Sequence, residues 1–160
     1  MDVLITGSTG MVGKSALYEC IKDDRINKIY LINRSKSGIK NPKISELVIK
    51  DFLLVKNLKS KIKNCDACFH CMGITSFGHN KKYYYEVTYE MTKLITDLIY
   101  EINPSAVMTY VSGEGTNAKE NSKITWANVK GKAENYVLNR GLKDSYMIRL
   151  GLLIPENGTV

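Results

Sequence analysis

The chain has 160 residues, 44% hydrophobic and 24% charged, which suits a single globular domain over 1–160 and excludes low-complexity or collagen-like material. Met1–Ile5 lacks the basic-then-apolar pattern of a secretion signal, no apolar run nears a membrane span, and the four cysteines do not form a disulfide framework, so a cytoplasmic, membrane-free protein is expected. Net charge is +7, but the lysines are scattered, with one modest cluster in 56-KNLKSKIK-63 and no interleaved aromatics, which reads as a solvated surface rather than a nucleic-acid face.

The first predicted strand, Val3–Thr6, runs into 7-GSTGMVG-13 and then a helix whose face carries Val12, Ala16, Leu17, Cys20 and Ile21. Gly7, Gly10 and Gly13 have the spacing of a phosphate-binding turn. The first allows a sharp turn, the second lets backbone approach a pyrophosphate, and the third lets the helix pack closely. Free amides and the positive helix end then face the phosphates. Lys14-Ser15 lacks the glycine spacing of a nucleoside-triphosphate loop.

The second strand, Lys28–Asn33, ends in Asn33-Arg34-Ser35. A site for NAD usually places a carboxylate here to accept from the ribose 2′-hydroxyl. A guanidinium suits a 2′-phosphate instead, so NADP(H) is favoured over NAD(H). A third strand spans Ile44–Lys50, followed by a weakly periodic helix over Leu54–Ile62.

The fourth strand, Asp66–Met72, overlaps Cys65, Cys68 and Cys71. An extended chain rises ~3.3 Å per residue, which sets Cys65 and Cys71 about 20 Å apart. Sulfurs so placed cannot share one metal, and the three read as small hydrophobes. His70 reads as a packed strand residue and His79 as surface.

Val87, Met91, Leu94, Ile95, Leu98 and Ile102 then mark a helix stopped by Pro104. A fifth strand is Ala106–Val111. Trp126, Val129, Ala133 and Val137 mark another helix, ended by Gly141, and the sixth strand is Ser145–Leu150. Strands alternating with helices predict an α/β, three-layer, doubly wound parallel sheet (Rossmann) in the order 3-2-1-4-5-6.

The motifs TGSTGMVG, NRS, Asp51-Phe52, CMG, VSGEGT, WANVKGKAEN and YMIRLGLLIPENG span nearly the whole chain. Together they resemble the short-chain dehydrogenase/reductase superfamily, in its atypical, NAD-dependent epimerase/dehydratase-like branch. The resemblance implies that Gly7, Ser8, Thr9, Gly10, Met11 and Val12 cradle the pyrophosphate. It implies that Arg34 and Ser35 face the adenosine 2′ position, that Asp51 and Phe52 flank adenine, and that Cys71, Met72 and Gly73 line the ribose and nicotinamide side. Ser112 and Lys130 match the catalytic serine and lysine, with Lys130 also bonding the cofactor ribose.

One position departs from the superfamily. A tyrosine normally lies four residues before the lysine, one helical turn away, and relays a proton. Here Trp126 occupies that place, and an indole N–H donates a hydrogen bond without being a proton-relay acid. Tyr83, Tyr84, Tyr85 and Tyr89 are candidate substitutes, or packing residues. The family also continues past the sixth strand to close a substrate pocket, whereas this chain stops at 155-PENGTV-160.

Two readings follow. One is an NADP(H)-dependent oxidoreductase or epimerase-like enzyme acting on a small carbonyl or hydroxyl compound. The other is a catalytically inactive NADP(H)-binding redox sensor or protein-interaction module. Either is compatible with a homo-oligomer, and neither calls for a metal or nucleic acid.

Overall fold

A computed structural model describes residues 1–154; the closing 155–160 segment lies outside the described residues. Six strands form one parallel sheet in the order β3-β2-β1-β4-β5-β6. They are β1 (Asp2–Thr6), β2 (Lys28–Asn33), β3 (Ile44–Val48), β4 (Ala67–His70), β5 (Val107–Gly113) and β6 (Asp144–Leu150). The helices are α1 (Met11–Lys22), α2 (Lys81–Tyr85), α3 (Met91–Ile102) and α4 (Thr125–Asn139). The expected doubly wound order is the observed one.

The alternation of side chains along each strand sorts the core into two layers. Val3, Ile5, Ile29 and Leu31 face α1 and pack with Leu17, Cys20 and Ile26. Leu4, Tyr30, Ile32, Cys68, Met108 and Tyr110 face the other way, against α3 and α4.

Several boundaries differ from expectation. β4 stops at His70 rather than Met72, because its partner β1 ends at Thr6 and the chain then turns at Gly7, which has φ 68°. Beyond that point only Cys71 N–H still donates to Thr6 O, at 3.2 Å. The weak helix expected over Leu54–Ile62 is a 3₁₀ helix, Phe52–Lys61, whose start is capped by the Asp51 carboxylate accepting from Leu53 N–H at 2.9 Å. The helix before β5 begins earlier than expected, at an Asn80 cap, and passes through a π turn, Glu86–Glu90, between α2 and α3.

Among the described residues no helix is long and apolar enough to cross a membrane. Cys65 and Cys68 are buried, and burial pushes the Cys65 thiol up to about 12, so they pack as small apolar groups.

Candidate functional site

The site is assembled at the C-terminal ends of the strands, where open parallel sheets place ligands. The turn after β1 is closed by Gly10 N–H donating to Gly7 O at 3.0 Å. A Cβ on Gly13 would sit 2.2 Å from Gly7 O, so only glycine lets α1 approach the turn this closely. α1 starts at Gly10, which has no side chain to cap it, and no acidic residue lies in its first turn. Its leading amides are therefore directed at whatever fills the space in front of them.

That space is a cavity of about 180 Å³. Gly7, Thr9 and Gly10 form one wall, and Arg34 and Ser35 form the second. Phe52 and the β4 exit, Cys71, Met72 and Gly73, complete it. A smaller chamber of about 40 Å³ continues it past Arg34, Met72 and Gly73 to Ile74, Val87 and Met91.

Five of the residues expected to touch a cofactor, Ser8, Met11, Val12, Asp51 and Lys130, are not among those that line this cavity. Ser8 is buried, and its amide and hydroxyl both donate to Asn33 Oδ1, at 3.2 and 3.1 Å. Met11 and Val12 lie in the first turn of α1. Asp51 lines a separate groove beside Phe52.

Asn33 stands where a ribose-binding carboxylate would be, and it is held in place. Its Nδ2 donates to Ser8 Oγ at 2.8 Å and to Glu46 Oε1 at 3.1 Å, and that same oxygen accepts from Ser37 N–H at 2.6 Å. The sequence reading missed Glu46. Its only signal was a carboxylate inside the third apolar run.

Ser112 lies near the end of β5 and is buried. Its hydroxyl is 3.1 Å from Thr116 Oγ1, which itself donates to Gly113 O at 2.6 Å, so the serine is the donor. Lys130 extends from α4 with its Nζ 5.6 Å from the centre of the Tyr110 ring. Burial lowers its pKa, and Glu134 one turn later opposes that shift. Glu134 is itself 1% exposed and holds Arg149 of β6 through two bonds of 3.0 and 2.6 Å, tying α4 to the edge of the sheet.

The Trp126 ring packs over Gly115, where a Cβ would meet it at 3.1 Å. Of the four tyrosines considered as substitutes, Tyr84 is buried and the Tyr83 ring lies tilted against His79, with centroids 5.3 Å apart. Tyr85 accepts from Lys132 Nζ at 2.8 Å and packs against Tyr89. These engagements lie on the helix flank. Cys71 borders the cavity, but burial holds its thiol up to about 12, which makes it a wall group rather than a nucleophile.

Comparison with known proteins places this geometry. The family model for the NAD dependent epimerase/dehydratase family matches residues 3–135. A curated relative, the mitochondrial protein FMP52 of Meyerozyma guilliermondii, is 27% identical over 98% of this chain and 66% of its own length. The chain thus spans just under two thirds of that relative. The relative's mitochondrial designation overturns the cytoplasmic location expected from the sequence.

Among solved structures, a short-chain dehydrogenase from Burkholderia cenocepacia in complex with NADP matches with a TM-score of 0.76 at 15% identity, over 92% of this chain and 70% of that one. A short-chain dehydrogenase/reductase superfamily protein from Agrobacterium tumefaciens with bound NAD matches with a TM-score of 0.73 at 17% identity, over 93% of this chain and 48% of that one. The fold is that of this superfamily. With its glycine turn, its strand order and a family match over most of its length, the chain belongs to the NAD dependent epimerase/dehydratase family.

Proposed function

We propose that the chain binds NADP(H) in the cavity between the glycine turn, the β2 exit and the β4 exit, and acts as an oxidoreductase or epimerase-like enzyme on a small carbonyl or hydroxyl compound. The observation that carries the cofactor reading is the pairing of uncapped α1 amides with the Arg34 guanidinium across one cavity. The preference for the 2′-phosphate rests on Asn33 and Glu46. Asn33 offers no carboxylate, and Glu46 Oε1 is already bonded by Asn33 and Ser37.

When bound, the nicotinamide supplies hydride chemistry. The protein's part is to hold and orient. Gly7 and Gly10 leave room for the diphosphate, Phe52 and Met72 form apolar walls, and Lys130 reaches the ribose side. Ser112 holds a hydroxyl proton near the end of β5. The FMP52 relative supports a mitochondrial setting.

Trp126 favours a second reading. With no phenol one turn before Lys130, the chain binds cofactor without turning it over, as a redox sensor or interaction module.

Fluorescence titration tests the cofactor reading. NADPH is expected to bind at least roughly tenfold more tightly than NADH, and Arg34→Ala is expected to remove that preference, since a charge-assisted contact contributes about 1.5–3 kcal/mol. Equal affinities in the wild type would overturn the 2′-phosphate assignment, and no binding of either would overturn the site. Turnover with a carbonyl panel that disappears in folded Lys130→Ala supports the enzyme. Tight binding with no turnover supports the sensor.

A further inference from the structure

His70 is fully buried, yet both of its ring nitrogens are bonded to hydroxyls from other elements. Nδ1 lies 2.7 Å from Thr6 Oγ1 of β1, and Nε2 lies 3.0 Å from Thr92 Oγ1 of α3. The proton positions follow from the partners. The Thr92 hydroxyl donates to Thr88 O at 2.6 Å, so it accepts from His70 Nε2–H. Nδ1 is then the acceptor, and Thr6 donates to it. The ring also stacks on Tyr110, with centroids 5.5 Å apart.

A core position needs none of this. An apolar side chain fills the same space without the cost of desolvating an imidazole. What singles out this row is where its three members sit. Thr6 directly precedes Gly7, His70 directly precedes Cys71, and Thr92 directly follows Met91. Gly7, Cys71 and Met91 belong to the walls of the cavity and its side chamber. One ring therefore joins the three backbone segments that carry those walls.

We infer that His70 is a positioning residue for the dinucleotide cavity, fixing the β1 turn, the β4 exit and the start of α3 against one another through Thr6 and Thr92. The inference rests on the cofactor reading for its purpose, but the mechanical link stands on the hydrogen bonds alone. A fully satisfied buried network of this kind gives a unique arrangement, whereas an apolar replacement leaves the three segments free to slide by fractions of an ångström. Such shifts matter here because the amides of the turn must meet a diphosphate at hydrogen-bond distance.

Three substitutions test the link. His70→Phe keeps a ring against Tyr110 and removes both nitrogens. Thr6→Val and Thr92→Val each remove one hydroxyl at nearly constant volume. In the absence of cofactor, exchange of the hydrogen-bonded amides of Ser8, Gly10 and Cys71 is expected to rise roughly tenfold in each folded variant, the scale of one lost buried hydrogen bond. Exchange in the middle of β1 and β5 is expected to stay as in the wild type. A uniform rise across all strands, or none at the two loops, would overturn the inference and leave His70 as ordinary core. Should His70→Phe fail to fold, the two valine variants decide the matter.

Imidazole ¹⁵N spectra of the wild type are expected to show Nε2 protonated and Nδ1 bare, and the opposite tautomer would overturn the assignment of donors. NADPH affinity is expected to fall by roughly tenfold in the same variants. If the wild type binds neither dinucleotide, the cofactor reading fails, while the exchange data still decide whether His70 holds the loops.

Discussion

Gly131 shows how much a single residue can settle without announcing itself. It lies inside α4, where glycine costs about 1 kcal/mol relative to alanine, so its presence needs a reason. A Cβ there would stand 1.9 Å from Asn117 O, so α4 presses directly on the loop after β5. That loop also donates from Asn117 N–H to Ala127 O at 3.0 Å, and it holds the Thr116 that bonds Ser112. Gly131→Ala is therefore expected to destabilise by about 1–3 kcal/mol despite its gain in helix propensity, because backbone has to give way. Gly10→Ala is the contrasting case. Its Cβ would meet Gly7 O at an ordinary 3.5 Å, so thermal unfolding is expected to change by about 1 kcal/mol or less while dinucleotide affinity drops. Melting curves and titrations on the two variants check both halves, and equal melting temperatures for them would refute the distinction. Gly7, Gly10 and Gly13 were legible because their spacing is local. Gly131, Glu46 and Glu134 were not, since each acts on a segment distant in sequence, and no periodicity records that.

At the scale of elements, all six strands were visible as apolar runs and the long helices as stripes, because burial on two faces leaves a local pattern. The 3₁₀ helix and the π turn were not visible as such. Their hydrogen-bond spacing depends on how the chain is pulled between its neighbours rather than on composition. His70 was correctly read as a packed strand residue, but its bridging of β1 to α3 is a property of three elements at once. That bridge has a consequence for acid stability. Burial, with repulsion from Lys130, depresses the His70 imidazole to about 3 from its ordinary 6.5. Between those values the unfolded chain holds the extra proton, so stability falls as pH falls. The contribution is complete above about 6.5 and is lost progressively toward 3, at up to about 1.4 kcal/mol per pH unit. Asp66 and Asp23 have depressed carboxylates that act only below their ordinary 3.8, so the interval between pH 6.5 and 4.5 isolates the histidine. Urea unfolding across that interval is expected to show a clear slope in the wild type and a flatter one in His70→Phe. An unchanged slope in a folded variant would refute the assignment.

The whole molecule is asymmetric in a way that its order of elements does not reveal. One face of the sheet is covered by the 3₁₀ helix, α3 and α4, whereas the other carries α1 over β1, β2 and part of β4. Beyond α1, on the β5–β6 side, the register sets Thr109 beside Tyr146 and Val111 beside Ile148. Tyr146 is 55% exposed and Ile148 45% exposed, on an edge strand that alternates exposed with half-buried residues. Apolar side chains at cross-strand neighbours make a continuous patch rather than scattered surface hydrophobes. A polarity-sensitive dye is therefore expected to bind the native protein. Replacing Tyr146 and Ile148 together with threonine keeps strand propensity while removing most of the apolar area. Dye fluorescence is expected to fall sharply, with the unfolding free energy changed by less than about 1 kcal/mol, the usual scale for surface substitutions. A collapse of stability in the double variant would mean that these side chains are already buried in solution, and undiminished dye binding would mean that the accessible apolar surface lies elsewhere. Either result would redraw this face of the molecule while leaving the cavity on the C-terminal edge of the sheet untouched, because the patch lies on β5 and β6 whereas the cavity is lined from the exits of β1, β2 and β4.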